Sequence, residues 1–301
     1  MSTARLSGTT RRPGAPSGSV PWVFLVPAVV IFVALVILPA LGGAVLSFSD
    51  LSLLGTPSFV GFDNYAKVFS DEQALASLGN TFLLAAIVVI GQNVLGLALA
   101  LALEAAFPGR NFLRVLFLLP AILSPVIIGY LWQYLYSPTG AINQFLETIG
   151  LGQLATPWLG NPSTALIAVA IATVWQLTGY AMVIYVAGLN GVSEEVLAAA
   201  QLDGANAWQR LIHIKLPLIA PAITINAALS LIGGLRLFDQ VLAMTSGGPG
   251  YATETLATVI YKEGFTYGHL GYSLSLSIVL GLFVAVLASV QVILTRRAEV
   301  N

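Results

Sequence analysis

The sequence has no cysteine at all, and only 8% of its 301 residues are charged. Without cysteine there is no disulfide framework, no thiol nucleophile and no cysteine-built zinc site. Soluble domains run at about a quarter charged, so this chain cannot cover a soluble exterior. Disorder is excluded by the opposite surplus: 57% of the residues are hydrophobic, and disordered chains are poor in them. Twelve basic against thirteen acidic residues leave a net charge of −1, which gives no bulk attraction to nucleic acid. The lysines, Lys67, Lys215 and Lys262, lie outside any GxxxxGK[ST] phosphate loop, so that route to ATP hydrolysis is closed. Neither an HExxH zinc motif nor a GxSxG elbow occurs.

What the chain has in abundance is long apolar runs. A membrane-spanning helix needs ~20 mainly apolar residues. Trp22–Leu46, Gly79–Leu103, Phe112–Leu135, Ala165–Leu189, Pro217–Met244 and Tyr272–Leu294 qualify. Runs such as Leu83–Ile90 do not alternate, as barrel strands would. The expected fold is therefore an all-α integral membrane protein, a bundle of six transmembrane helices. Pro120 and Pro125 interrupt the third stretch, which helices inside a bundle tolerate. Arg5, Arg11 and Arg12 precede the first stretch as in a signal peptide. Its length of 25 residues exceeds the ~7–15 of a cleaved signal, so it is expected to be retained. Residues 1–21, rich in Ser, Gly, Thr and Pro, read as a disordered tail. Residues 22–295 read as the transmembrane domain, and residues 296–301 as a second short tail.

Orientation follows from the basic residues. With both termini cytoplasmic, the inner segments hold Arg5, Arg11, Arg12, Arg110, Arg114, Arg210, Lys215, Arg296 and Arg297, nine in all, against Lys67 and Lys262 outside. Nine against two is a positive-inside pattern. It makes Ser47–Leu78, Tyr136–Thr164 and Thr245–Gly271 external and leaves residues 190–216 as the sizeable internal loop.

That loop reads as two short helices joined at Gly204. Ser193 can cap the first, with Glu194 and Glu195 at the positive end of its dipole. Gly204 suits a left-handed helix ending. Periodicity predicts Trp208, Leu211, Ile212 and Lys215 on one face of the second helix, and Pro217 marks the turn into the membrane.

The run Ala198-Ala199-Ala200, then Gly204 after three residues, Ile214 after nine more and Leu216-Pro217 resembles the EAA loop of ABC-importer permease subunits. Asp203-Gly204-Ala205 and Pro221 resemble its carbohydrate branch, that of importers of maltose-like sugars and glycerol phosphates. So do Val60-Gly61-Phe62-Asp63-Asn64-Tyr65 and Phe238-Asp239 through Thr245-Ser246-Gly247-Gly248-Pro249. The chain departs from the pattern at Ala198, where the family usually has Glu, and Glu194 or Glu195 stand nearby to replace it.

The resemblance implies one half of a heterodimeric pore in a bacterial or archaeal plasma membrane. A second homologous permease supplies the other half, two copies of a cytoplasmic ABC ATPase dock beneath, and an extracytoplasmic solute-binding protein delivers solute. The chain itself would be no enzyme and bind no cofactor, ATP and Mg being held by the ATPase. The coupling segment would comprise Glu194, Glu195, Ala198, Ala199, Ala200, Asp203, Gly204, Ala205, Leu211, Ile214, Leu216 and Pro217. The alternative is a self-contained secondary carrier or channel for a small polar solute. Carriers usually show buried acidic relays, and here Asp239 is the main intramembrane carboxylate.

For the solute, uncharged hydrogen-bonding groups and rings point to a neutral carbohydrate, whose C–H faces stack on aromatics and whose hydroxyls need amides. The candidates are Asn226, Ser230, Gln176, Trp175, Tyr180 and Gln133. Asn226 and Ser230 are four apart and share a helix face. A phosphorylated solute would call for several cations. Arg236 is expected to be the single cation in a helix core, with Asp239 three residues on to pair with it.

Overall fold

A computed structural model describes residues 25–53 and 55–300, of which 296–300 are described by backbone alone. The tail expected over residues 1–21, its three arginines, the start of the first stretch at Trp22 and Asn301 lie outside the described residues. The chain divides into two units, Met1–Val45 and Leu46–Asn301. The first contributes nearly all of α1 (Val26–Leu46), apolar on every side. Pro39 has no N–H to give Leu35, and the turn just before it, Val33–Ile37, widens to π geometry.

The second unit is entirely helical in its regular structure among the described residues. A short α2 (Asp63–Val68) precedes the long α3 (Glu72–Ala102). Then come α4 (Arg110–Ile122), α5 (Pro125–Leu135) and the short α6 (Ala141–Thr148). α7 (Pro162–Leu189) leads to α8 (Glu194–Leu202), α9 (Ala207–Leu218) and α10 (Ala220–Leu235). α11 (Asp239–Thr245), α12 (Leu256–Tyr261) and α13 (Leu270–Val300) complete the chain.

Local chemistry sets the helix starts. Asp71 caps α3 by accepting from the amides of Gln73 and Ala74, and the Tyr272 hydroxyl of α13 donates to its second oxygen at 2.9 Å. Asn161 caps α7 ahead of Pro162. The span predicted from Gly79 thus begins seven residues earlier, at Glu72. Polar Asp71–Ser77 lowers the hydropathy there but not the helix propensity.

Among the described residues, four helices are long and apolar enough to cross a bilayer unbroken: α1, α3, α7 and Leu270–Thr295 of α13. The third and fifth stretches are bent pairs instead. α4 and α5 meet at 97°, because Pro125 drives Ser124 to extended geometry (φ −57°, ψ 133°). α9 and α10 meet at 68°, since Pro221 has no amide for the carbonyl of Pro217. That bend falls at Ile219 (φ −94°, ψ 8°), two residues beyond the turn expected at Pro217. The fifth stretch breaks again at residues 236–238. Arg236 is the residue closing α10, exposed, and no ion pair joins it to the exposed Asp239 among the described residues. This corrects the expected helix-core Arg236–Asp239 pair.

α7 is the most enclosed of the four long helices, contributing to one apolar cluster with Leu84, Val88, Val241 and Met244 and to another with Ala100, Leu103 and Ile219. Small residues permit this. At Gly179 an added Cβ would stand 2.0 Å from the carbonyl oxygen of Phe117, so the α4 backbone lies directly on α7. A third cluster joins Val68, Leu256, Val259, Tyr272 and Leu276.

The Val60–Tyr65 motif has a structural role. Asn64 donates to the carbonyls of Ser47 and Ser49 at 2.9 and 2.8 Å, Tyr65 meets the Ser47 hydroxyl at 2.6 Å, and Phe48, Phe62 and Tyr65 form a ring cluster. Beside it, the amide and hydroxyl of Ser58 donate to Asp50, holding that carboxyl below its ordinary range. Five residues past the Thr245–Pro249 motif, the buried Glu254 accepts from Lys262 at 2.5 Å and Gln73 at 2.8 Å, which fastens the loop to the start of α3.

Candidate functional site

The loop over residues 190–217 forms the expected helical pair. The Ser193 hydroxyl accepts from the Glu195 amide at 3.2 Å, and Glu194 and Glu195 stand exposed in the first turn of α8. Ala198 and Ala199 are exposed on α8 and Ala200 half-covered. The helix closes when Ala205 donates to the carbonyl of Ala200 at 3.0 Å and Asp203 to that of Ala199 at 3.0 Å. Gly204 takes φ +84° between them, the left-handed residue such an ending requires. Asn206 then caps α9 in a reciprocal box with Gln209 (2.9 and 2.8 Å). Arg210 reaches back to the Gln201 amide oxygen at 2.9 Å. Two short helices are thereby fixed in one angle about a single glycine.

The predicted common face of α9 does not form. Leu211–Lys215 is a π turn, whose extra residue breaks the 3.6-residue register. Leu211 and Lys215 are half-covered, whereas Trp208 and Ile212 are exposed. With Leu202 of α8 90% exposed and Trp208 68% exposed, the pair carries two large apolar side chains directed away from the bundle. Ile214 and Leu216 are half-covered and Pro217 exposed. At the far end Ile219 is buried among Ala100, Leu103 and Tyr185. Between α9 and the end of α3 lies a cavity of about 380 Å³, lined by Leu101, Glu104, Leu197, Arg210, Leu211 and Lys215 among others.

The expected solute-path residues fall into two groups. Asn226 and Ser230 do share a face of α10, but that face is packed. Asn226 is fully buried and donates to Asn93 of α3 at 2.9 Å, Asn93 donates to Ser230 at 2.9 Å, and the Tyr185 hydroxyl of α7 donates to Asn93 at 2.5 Å. Gln176 is also buried. It donates to the Leu123 carbonyl freed at the α4–α5 bend (3.1 Å) and accepts from Gln240 (3.0 Å). These amides join helices, the common use of polar groups in a bundle. Trp175, Tyr180 and Gln133 are exposed; Trp175 meets Trp132 edge-on at 5.5 Å, and Gln133 donates to the last-turn carbonyl of Met244 at 3.2 Å.

Three features escaped the sequence. Glu104, just past α3, contacts Lys215 at 2.6 Å. Leu202 was indistinguishable from a core residue by type. Beside the exposed Arg236, Phe238 meets Tyr261 at 5.3 Å and Tyr261 stacks on Phe265 at 5.5 Å; the four-residue spacing of Tyr261 and Phe265 was the available signal.

Comparison with known proteins bears on this arrangement. Residues 92–300 match the family model described as binding-protein-dependent transport system inner membrane component. The chain is 32% identical, over 93% of its length and 95% of the relative's, to the probable starch degradation products transport system permease protein AmyD of Thermoanaerobacterium thermosulfurigenes. It is 31% identical to the trehalose/maltose transport system permease protein MalF of Thermococcus litoralis, over 89% of this chain and 90% of that one. Among solved structures, a chain of a bacterial ABC transporter involved in import of the acidic polysaccharide alginate superposes with a TM-score of 0.77. It is 25% identical and covers 92% of this chain and 94% of its own.

Proposed function

The chain belongs to the family of binding-protein-dependent transport system inner membrane components, and from that premise we propose how it works. It is a membrane-embedded permease subunit of a sugar ABC importer, served by a binding protein. In our reading it forms one half of the pore beside a homologous second permease, both termini are cytoplasmic, and two copies of an ABC ATPase bind beneath the pair, one of them docking on α8 and α9. The ATP and Mg belong to that ATPase.

The observation that carries this reading is the geometry at Gly204. Two capped helices are locked at one angle, with Leu202 and Trp208 directed off the bundle. A rigid pair with apolar knobs suits insertion into a cleft of a soluble partner, and a docked rigid body transmits motion as a unit. Glu194 and Glu195, exposed about two turns before Leu202 on α8, take the place of the carboxylate that Ala198 lacks.

The solute we propose is a neutral di- or oligosaccharide, by analogy with the starch-product and trehalose/maltose permeases that this chain resembles. Trp175, Tyr180 and Gln133 remain candidates for contact, joined by Phe238, Tyr261 and Phe265. Gln176, Asn226 and Ser230 join helices instead. The test is reconstitution in proteoliposomes with the second permease, the ATPase and a maltodextrin-loaded binding protein. Uptake is expected only with ATP and binding protein together. Uptake driven by an ion gradient without ATP would replace the importer with a secondary carrier.

A further inference from the structure

Where α9 approaches the bundle, Lys215 Nζ lies 2.8 and 2.6 Å from the two carboxylate oxygens of Glu104. Their side chains retain 20% and 32% exposure. We propose that this bridge is a positioning device that makes α3 move with the coupling helices, so that Glu104 and Lys215 act in transport without touching solute or nucleotide. The proposal rests on the reading of the loop as an ATPase dock.

The argument starts from how little else holds α9. Ile219 sets its far end among Ala100, Leu103 and Tyr185, with Leu216 against the same cluster, while a cavity lies behind its middle, beside the end of α3. A load applied at Leu202 and Trp208 therefore passes on only where the pair touches the bundle. The far end passes it to α10 through the Ile219 bend and to α3 and α7 through apolar packing. The Glu104 bridge adds a polar link from α9 to the end of α3.

Lys215 lines the cavity with Leu211, four residues earlier on the same face, and the π turn between them offsets Lys215 from Trp208. The carboxylate is held as well. Arg110 donates to the carbonyl of Glu104 at 3.0 Å and Arg114 to that of Leu103 at 2.8 Å, so the chain carrying the charge is clamped to the start of α4. A fixed carboxylate meeting an ammonium through both oxygens resists displacement in more than one direction.

A pair this exposed contributes little to stability, so position is what it has to offer. α3 is the right receiver. Its Asn93 binds Tyr185 of α7 and both Asn226 and Ser230 of α10, and a shift of α3 thus reaches both neighbours.

The experiment compares Lys215→Arg, Lys215→Met, Glu104→Gln and the exchanged double variant Glu104→Lys with Lys215→Glu in the reconstituted complex. It reads solute moved per ATP hydrolysed, alongside recovery of the intact complex. Lys215→Met and Glu104→Gln should assemble normally yet lose about fivefold or more in that ratio. Lys215→Arg and the double variant should recover most of it. Equal ratios in Lys215→Met and Lys215→Arg would overturn the proposal, as would a double variant no better than the singles. Loss of the complex itself in Lys215→Met would also overturn it, since the pair would then serve assembly. Absence of ATP-driven uptake by the parent chain is a different failure, one that removes the importer reading itself.

Discussion

Gly204 can be judged almost without reference to its neighbours. No atom lies within 4 Å of where its Cβ would be, while its φ is +84°. A side chain there is opposed by backbone conformation, not by crowding, and a β-branched one is opposed most. Gly204→Val is expected to alter the angle between α8 and α9, lowering ATP-driven uptake about tenfold or more while the chain still inserts; a misplaced docking pair of this kind costs coupling energies of ~1–3 kcal/mol. Uptake per copy of chain in membrane vesicles checks it, and parental uptake would detach the loop from coupling. Residues whose role is local were legible in this way. Ser193 and Gly204 sit where capping chemistry puts them, because a cap reads only a few adjacent positions. Glu104 was not legible, because its partner lies 111 residues away and spacing carries no information over that range. Asn226 was legible as a polar residue on a helix face, but whether that face meets solute or another helix depends on Asn93, a residue of a different helix.

At the scale of elements, the apolar runs located every long helix, since bilayer thickness imposes length directly. The breaks were only half visible. Pro125 and Pro221 announced that helices would be interrupted, but the resulting angles of 97° and 68° depend on what receives the freed carbonyls. For Leu123 the receiver is Gln176 on α7. The register of α9 failed for a related reason: a π turn inserts one residue, and no local residue type signals it. Contact between α4 and α7 yields a sharper prediction. Since the Cβ of Gly179→Ala would fall 2.0 Å from the Phe117 carbonyl oxygen and 2.9 Å from the Leu118 Cα, backbone must move away from backbone. Overpacking of this sort costs ~1–3 kcal/mol. The expected result is a lower thermal midpoint in detergent for Gly179→Ala and no change for Gly233→Ala, whose added Cβ meets nothing within 4 Å. Equal midpoints would mean that α4 and α7 are not in backbone contact.

For the whole molecule the open quantity is the number of crossings, and the two bent pairs decide it. Four unbroken helices become six crossings only if α4–α5 and α9–α10 each traverse the bilayer. Asp63 and Leu202 are both exposed, and between them in the chain lie α3, the α4–α5 pair and α7. Three crossings put these two residues on opposite sides; if α4–α5 enters and returns on one side, two crossings put them on the same side. Because the chain has no cysteine, Asp63→Cys and Leu202→Cys each introduce a unique thiol. Leu202 is preferable to Asn206 as the inner site, since the Asn206 side chain holds the cap of α9, and removing a cap costs ~1 kcal/mol. With a membrane-impermeant maleimide on whole cells that make the chain without the ATPase and whose outer barrier is open, Asp63→Cys should label at once and Leu202→Cys only after the inner membrane is permeabilised. That pattern is the one the nine-to-two basic asymmetry demands, and it places α8 and α9 where an ATPase can reach them. Immediate labelling of both would make α4–α5 a re-entrant elbow and move the docking pair to the wrong side of the membrane. Labelling of Leu202→Cys alone would invert the chain, and the coupling role of the Gly204 turn and the Glu104–Lys215 bridge would fall with the orientation.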